Sequence, residues 1–348
     1  MEKKFFMKCV KSILMILIIL GMIGFYVDSW QQIRYNSKWH RGEERILISG
    51  LVKNYNYETV VIGTSTSQNI LKKDVDNIFN TNSINLCLSG STALEHRNLL
   101  NVIIKNNDAK TVIYGIDNFS YNNTGVRKEN IDYTKKENIL KYLFNINLLK
   151  DNIKVLKREI TKKNQRNWIY KLGFWGDDYT YSEENTLCFD PNTQFGGQNL
   201  GIIKGSKEGY NLEIMKENFD EFLKIVNENK NIEYIIYLPP YAILYWYALD
   251  RYNSLESVLE FKKYIYEKTK DLKNISIYDF QDREDIIDDL NNYKDAVHYG
   301  PFINKKIIEE ISKTKPSSYN PDFEKNIKRL IEKNREKFEE VYRKYNID

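Results

Sequence analysis

The pattern of apolar positions separates one long apolar run near the N-terminus from a larger part in which short apolar segments alternate with amphipathic ones. Residues 12–27 are uncharged and strongly apolar. At ~1.5 Å per residue, a helix over this run nearly crosses a hydrocarbon core of ~30 Å. The flanking charges are four lysines before the run and one aspartate after it: Lys3, Lys4, Lys8, Lys11 and Asp28. This pattern predicts a transmembrane anchor with its N-terminus in the cytoplasm.

A cleaved signal peptide is the alternative interpretation of the same run. The run is longer than the usual core of a signal peptide, and no small-residue cleavage site of the A-x-A type follows it. We therefore expect residues 1–28 to form a cytoplasmic tip and membrane anchor, and residues 29–54 to form a juxtamembrane linker. No later stretch has the ~18 consecutive apolar residues of a membrane span. The chain is predicted to cross the membrane once, with its larger part outside the cell.

Five short segments rich in β-branched and aromatic residues predict buried strands. They lie at residues 59–63, 84–88, 111–116, 234–238 and 274–280. Apolar residues recur with helical spacing between them, over residues 94–103, 212–226 and 255–272. Strands that alternate with helices indicate an α/β domain, a doubly wound parallel sheet of about five strands over residues 55–314.

Two segments depart from this alternation. Residues from about 121 to 210 separate the third predicted strand from the fourth, with a helical part at 137–161 and then a Gly- and aromatic-rich part. We interpret them as an insertion, or lid, over the carboxyl edge of the sheet, where ligands of such folds bind. Residues 315–348 predict an amphipathic C-terminal helix. Its apolar stripe either packs back on the domain or docks on a partner or a membrane surface.

Composition excludes several classes of function. The 348 residues include 52 basic and 48 acidic side chains, a net charge of only +4. This balance lacks the concentrated basic face of a nucleic-acid-binding protein. With three cysteines and three histidines, the chain has neither a disulfide framework nor a zinc-type cluster, so we expect no metal and no cofactor.

A candidate nucleophile follows the first predicted strand. Gly63-Thr64-Ser65 ends this strand, and a strand-to-helix turn exposes a side chain at the sheet edge and directs helix N-terminal amides to the same place. Ser65 is the candidate nucleophile, and Ser67 is the alternative if the turn is shifted by two residues. The plainer alternative is that both serines only cap the next helix.

A candidate acid–base pair lies near the other end of the domain. Asp295 and His298 are three residues apart, just before the last predicted helix of the domain. An aspartate so placed can hold the Nδ1 proton of the imidazole and turn Nε2 toward a serine. The alternative is a structural surface histidine. His96 is expected to be a solvated or capped histidine in the helix after the second strand, and His40 a juxtamembrane surface residue.

These motifs resemble those of the SGNH (GDSL-like) hydrolase superfamily. Gly63-Thr64-Ser65 is similar to its G-D-S block, and the Asp295-x-x-His298 segment to its D-x-x-H block. The resemblance implies that Ser65 is the nucleophile, His298 the general base and then acid, and Asp295 the orienting carboxylate. It also implies an oxyanion hole formed by Ser65 itself, Gly90 and Asn118.

The chain departs from the superfamily pattern at two positions. Thr64 replaces the aspartate of the G-D-S block, and Asp117-Asn118 inverts the N-D pair of the third block. Both departures resemble the membrane-anchored branch of the superfamily. This branch includes the DltD proteins of teichoic-acid D-alanylation and the alginate O-acetyltransferase-like proteins.

That resemblance implies an extracytoplasmic O-acyltransferase. A multi-pass membrane-bound O-acyltransferase would supply the acyl group, and a cell-envelope polysaccharide or teichoic-type polymer would accept it. Acetyl is favoured because no long apolar loop indicates a lipid acyl pocket. Alternatives are a carbohydrate esterase or lipase-like hydrolase with the same triad, a D-alanyl transfer protein, and a non-catalytic scaffold of a membrane acylation complex. Four aromatic side chains are expected either to stack on sugar rings or simply to pack: Trp168, Trp175, Tyr241 and Trp246.

Overall fold

The computed structural model describes residues 2–106, 109–123, 125, 138–161 and 168–347, which belong to two compact units. The N-terminal unit comprises residues 1–56, 102–107 and 129–171, and the sheet unit comprises residues 57–101, 108–128 and 172–348. The strands are β1 Thr59–Ile62, β2 Ser83–Asn85, β3 Thr111–Gly115, β4 Glu233–Leu238 and β5 Ile275–Asp279. The helices of the described residues are α1 Glu2–Val27, α2 Glu44–Asn54, α3 Lys72–Phe79, α4 Ala93–Asn106, α5 Asn118–Tyr121, α6 Ile139–Leu143, α7 Ile146–Ile160, α8 Glu183–Thr186, α9 Gln194–Glu208, α10 Leu212–Glu228, α11 Ile243–Arg251, α12 Leu255–Thr269, α13 Glu284–Ile287, α14 Pro301–Lys313 and α15 Phe323–Lys344.

The five strands form one parallel sheet in the order β2-β1-β3-β4-β5. Every residue of β1 is buried, as expected where helices cover both faces of a parallel sheet. The predicted α/β class and the number of strands are confirmed. The second strand differs most from its predicted bounds. Residues 84–88 were predicted, and β2 is the shorter segment Ser83–Asn85. The strand order reverses between β1 and β3, and ligands of open α/β sheets bind at the carboxyl ends of the strands beside such a reversal.

The C-terminal helix packs back on the sheet unit. The apolar stripe of α15 is buried, and α15 contacts α11. The rings of Phe323 and Trp246 lie 5.6 Å apart, edge to face, and Tyr247 contacts Phe338. Of the two interpretations of this helix, packing on the domain is therefore the one observed. Because the first seven residues of α11 are apolar or aromatic and buried beneath it, the stripe of α15 has a core to cover.

The N-terminal unit contains the membrane-length helix. Among the described residues, α1 is the one helix that is long and apolar enough to cross a membrane. The segment predicted as a juxtamembrane linker contains a further helix, α2, whose Leu47 and Leu51 are buried. The helical part predicted over residues 137–161 divides into α6 and α7, because the side chain of Asn145 accepts the N–H groups of Asn147 and Leu148 and so starts a new helix.

The chain between β3 and β4, in which the insertion was predicted, is shared between both units. Residues 129–171 belong to the N-terminal unit, whereas residues 172–210 belong to the sheet unit. Residues 124, 126–137 and 162–167 of this stretch lie outside the described residues.

Candidate active site

Ser65 lies on a tight turn that leaves the carboxyl end of β1. The N–H groups of Ser67 and Gln68 donate to the carbonyl oxygens of Thr64 and Ser65. Ser65 is partly exposed, whereas the residues on either side of it are buried. The next helix, α3, begins only at Lys72 and has no side-chain cap. The expectation that helix amides converge on Ser65 is therefore wrong, and so is the alternative that these serines cap the helix.

The side chain of Ser67 lies in the interior of the sheet unit. Its Oγ lies 2.5 Å from the hydroxyl of Tyr237, and its side chain is fully buried. A Cβ atom on Gly63 or Gly115 would clash with the Ser67 Oγ, so glycine at both positions makes room for this pair. The alternative nucleophile thus has neither exposure nor a basic partner.

Asp295 shapes the loop that carries the acid–base pair. Its Oδ1 accepts the N–H groups of Val297 (3.0 Å) and His298 (2.9 Å), and the N–H of Lys294 donates to the carbonyl oxygen of His298. Side-chain acceptance of this kind stabilises a turn without a helix or strand. Pro301 then starts α14, where its restricted φ suits the first helical turn.

Ser65, His298 and Asp295 form a continuous row of hydrogen bonds. Ser65 Oγ lies 2.8 Å from His298 Nε2, and His298 Nδ1 lies 2.8 and 2.9 Å from the two carboxylate oxygens of Asp295. Asp295 is fully buried, whereas the imidazole is 18% exposed. A carboxylate that accepts Nδ1–H leaves the Nε2 lone pair to accept the serine proton. Three residues from opposite ends of the domain thus assemble in the geometry that a nucleophile, a base and an orienting carboxylate require.

Lys294 is a member of the site that sequence reasoning missed. Its Nζ lies 3.0 Å from Asp295 Oδ2 and 2.7 Å from Gln198 Oε1, and it lies over the ring of Trp175. Burial acts to raise the pKa of Asp295, but His298, Lys294 and the backbone N–H groups outweigh it and hold the pKa well below its usual value. Direct adjacency to Asp295 was the signal available in the sequence.

Gly90 lies in the turn that follows β2. Its φ of +54° is a conformation that favours glycine. This turn is tied to the nucleophile segment, because the N–H of Leu88 donates to the carbonyl oxygen of Gly63 at 3.0 Å. No backbone carbonyl among the described residues accepts the N–H of Gly90 or of Ser65, so both donors are available to a ligand.

Asn118 is the first residue of α5 and is buried. Its Nδ2 has no well-oriented acceptor among the described residues. Burial raises the pKa of the Tyr245 phenol, and the nearby Asn118 amide offsets only part of that effect. A buried donor without a partner at the edge of a sheet fits a site that stabilises developing negative charge.

The two departures from the superfamily motifs contact each other. Thr64 Oγ1 donates to Asp117 Oδ2 at 2.6 Å, and Thr66 and Tyr241 also donate to this carboxylate, at 2.9 and 2.7 Å. Burial raises the pKa of Asp117, and the three hydroxyl donors offset only part of that effect. Asp117, which sequence reasoning treated only as half of an inverted pair, thus joins the turn after β1 to the end of β3.

Only one of the four aromatic candidates lies in the site. Trp175 packs edge-on against His298, with ring centres 5.6 Å apart, and its Nε1 donates to Gln68. Tyr241 and Trp246 are fully buried in the core of the sheet unit. Trp168 is buried in the N-terminal unit, where it stacks on His40. Packing, the alternative interpretation, therefore accounts for Trp168, Tyr241 and Trp246, because a buried ring presents no face to a sugar.

No family model matches the chain, and a search of the curated proteins finds no match. The resemblance to the SGNH superfamily therefore rests on the sequence motifs alone.

Proposed function

We propose that this protein is a membrane-anchored, extracytoplasmic serine O-acyltransferase of the SGNH type. The observation that carries the proposal is the hydrogen-bonded row of Ser65, His298 and Asp295 at the carboxyl edge of the parallel sheet. Ser65 follows β1, beside the reversal of strand order, and ligands of such sheets bind at this place.

The chemistry is transfer of an acyl group through an ester on Ser65. Ser65 Oγ attacks the acyl carbonyl while His298 Nε2 takes its proton, and Asp295 keeps the imidazole oriented. The N–H groups of Ser65 and Gly90 and the Nδ2 of Asn118 are the donors for the oxyanion. His298 returns the proton to the leaving group. In the second half, an acceptor hydroxyl gives its proton to His298 and attacks the acyl carbonyl, and the bond to Ser65 breaks as His298 returns the proton to Ser65 Oγ.

The membrane anchor defines the proposed donor and acceptor. With four lysines in the first part of α1, before its apolar run, the N-terminus is assigned to the cytoplasm and the sheet unit to the outside, where no cytosolic acyl-CoA is present. A multi-pass membrane-bound O-acyltransferase then supplies the acyl group, and a cell-envelope polysaccharide or teichoic-type polymer accepts it. Acetyl is the proposed group, and D-alanyl transfer is its nearest competitor.

Hydrolysis by the same triad is the second candidate function. Ser65 and His298 both keep some solvent exposure, so water can compete with an acceptor hydroxyl for the acyl-enzyme. A carbohydrate esterase would release acid, whereas a transferase would release an acylated polymer.

The nucleophile is tested on the full chain purified in detergent. A fluorescent phosphonate should label the wild type and the Ser67→Ala control, whereas Ser65→Ala and His298→Ala should stay unlabelled. Absence of labelling in folded wild-type protein would contradict the enzyme proposal and favour the scaffold alternative.

The transferase itself is tested in cells. Deleting the gene should lower the ester-linked acetate that mild base releases from the purified envelope, and restoring the wild type but not Ser65→Ala should recover it. A loss of D-alanine instead would change the proposed group. Unchanged levels of both would favour the hydrolase.

A further inference from the structure

The exposed face of α7 combines isoleucines with lysines. Ile146, Ile153 and Ile160 are 63%, 57% and 82% exposed, and Lys150 and Lys157 are exposed between them. At 3.6 residues per turn, steps of four and three residues place all five side chains within one face. We refer to these five residues as the isoleucine–lysine stripe.

The opposite face of α7 attaches it to the end of α1, within the N-terminal unit. Leu148 and Val155 are buried, and Val155 packs with Val27, the last residue of α1. The Oδ1 of Asn152 accepts the N–H of Ser29 at 3.1 Å. Helix α7 is therefore held at the level where the apolar helix ends and polar sequence begins.

Helix α6 lies beside the apolar part of α1. Gly21 and Gly24 allow the approach, since a Cβ atom on them would lie 3.4 Å from the Phe144 ring and 2.9 Å from the Leu143 carbonyl oxygen. Phe144 and Leu140 nevertheless remain 40% and 62% exposed. Gly21 precedes the end of α1 by six residues, or ~9 Å along a helix. Exposed apolar side chains thus continue from the stripe down the side of a membrane-length helix.

We propose that α6 and α7 form a second, interfacial membrane anchor that binds an anionic phospholipid leaflet. The isoleucines of the stripe enter the acyl-chain boundary, and Lys150 and Lys157 extend to the lipid phosphates. Amphipathic helices with lysines on the polar border bind in this way, with their apolar faces ~5–10 Å deep. The proposal rests on α1 crossing the bilayer and not on the chemistry of Ser65, so the two proposals fail independently.

Lipid is favoured over a protein partner by continuity and by charge. The apolar surface of α6 adjoins α1 at the depth of the hydrocarbon, where lipid is the surrounding solvent. Lysines at the polar border complement lipid phosphates, and each contributes roughly fivefold to binding an anionic membrane surface.

The first test measures the immersion of the stripe in the reconstituted full chain. Cys9, Cys87 and Cys188 are changed to alanine, and a nitroxide label is placed at Ile153→Cys or, as the aqueous control, at Glu336→Cys on α15. In vesicles of phosphatidylcholine and phosphatidylglycerol, the Ile153 label should collide with oxygen in preference to a water-soluble nickel chelate, and the Glu336 label should show the reverse. Equal access of the chelate to both labels would overturn the proposal.

The second test measures the charge requirement and the competing occupants. The double substitution Lys150→Gln and Lys157→Gln should lower the affinity of the stripe for anionic vesicles by roughly fivefold per lysine. The Ile153 label should then become more accessible to the nickel chelate. The matched control, Lys204→Gln with Lys224→Gln, removes two exposed lysines of α9 and α10 and should change nothing. Spin–spin broadening that grows with protein density would assign the stripe to a second copy. Protection that requires an added membrane O-acyltransferase would assign it to a protein partner, and either result would overturn the lipid proposal.

Discussion

Two serine–histidine hydrogen bonds lie in the described part of the sheet unit, and they differ in exposure and in the group on the far side of each imidazole. Ser65 Oγ lies 2.8 Å from His298 Nε2, and Ser91 Oγ lies 2.6 Å from His96 Nε2. The first pair is partly exposed, whereas His96 and Ser91 are 1% and 2% exposed. By the serine–histidine distance alone, the two pairs are equivalent, so other contacts must distinguish them.

The groups on the far side of each imidazole make that distinction. His298 has a carboxylate at Nδ1, and a carboxylate can only accept, so Nε2 is left as the base. His96 has the phenol of Tyr114 at Nδ1, at 2.8 Å. The Ser91 hydroxyl donates to the Leu88 carbonyl oxygen at 2.8 Å, an arrangement that favours Nε2–H of His96 as a donor to Ser91.

His96 consequently has a structural role rather than the solvated or capped one expected from its helix. With Ser91, it supports the turn that contains Gly90, and its phenol partner Tyr114 continues the network to Tyr121 at 2.9 Å. A serine–histidine contact becomes a catalytic candidate only when an acceptor holds the far nitrogen and the serine is accessible.

The largest effect that separates the two pairs is on turnover. Ser65→Ala should lower kcat for acyl transfer or ester hydrolysis by about 10⁶-fold, since no other nucleophile is in place. Ser91→Ala, the matched control, should leave kcat nearly unchanged. Rates measured on a chromogenic acetyl ester test this prediction. Equal losses of kcat in both variants would contradict the difference between the two pairs.

The next effect comes from the group at Nδ1. Asp295→Asn should lower kcat by about 10⁴-fold, because the amide favours the wrong imidazole tautomer. Tyr114→Phe removes the corresponding group from His96 and should leave kcat nearly unchanged. The same ester assay checks both variants, and an unaffected Asp295→Asn enzyme would remove Asp295 from the mechanism.

Stability should respond in the opposite sense. His96→Leu removes one hydrogen bond each from the buried hydroxyls of Ser91 and Tyr114 and should lower the free energy of unfolding by about 1–3 kcal/mol. His298→Gln should cost less, since its side chain is partly exposed and Asp295 keeps Lys294 and two backbone N–H groups. Urea unfolding of the wild type, His96→Leu, His298→Gln and Ser65→Ala measures this order.

The two buried carboxylates of the site should give opposite pH dependences of stability. The pKa of Asp295 is lowered on folding, so its ionised form contributes stability above pH ~3.9 that is lost as the pH falls. The pKa of Asp117 is raised on folding, so its contribution is greatest at low pH and is lost as the pH rises above ~3.9.

Each carboxylate is checked against its amide variant. Between pH 3 and pH 8, the stability difference between wild type and Asp295→Asn should grow with pH, whereas that between wild type and Asp117→Asn should shrink. Parallel slopes for the two variants would contradict the assigned directions.

The smallest effect is expected from Trp175. Trp175→Leu removes the edge-on contact with His298 and the hydrogen bond to Gln68. We expect kcat/KM to fall by a factor that corresponds to about 1 kcal/mol, with Trp168→Leu in the N-terminal unit as the control. A loss as large as that of Asp295→Asn would place the indole in the chemistry itself.

The local pattern of the chain was enough to predict the five strands and the membrane-length helix, and it singled out the three residues that the structure joins in one hydrogen-bonded row. Each strand is a contiguous apolar segment that ends in polar residues, and the ends of parallel strands meet at one edge of a sheet. Ser65 was predictable from its place after the first strand, and Asp295 and His298 from their three-residue spacing before the last helix of the domain and from the resemblance to the SGNH motifs.

Tertiary structure alone decided which hydroxyls and rings are available. Ser67 is two residues from Ser65, yet it points to Tyr237. Thr64 and Asp117 are each anomalous in their own motif and become a hydrogen-bonded pair across β1 and β3.

The aromatic residues after β4 show the same limit. Tyr241 and Trp246 look like surface-binding residues in sequence, and the helix α15 that covers part of α11 is more than 70 residues away along the chain. Burial, partner and protonation depend on which distant segments meet, and local sequence carries the strand and helix pattern but not those long-range contacts.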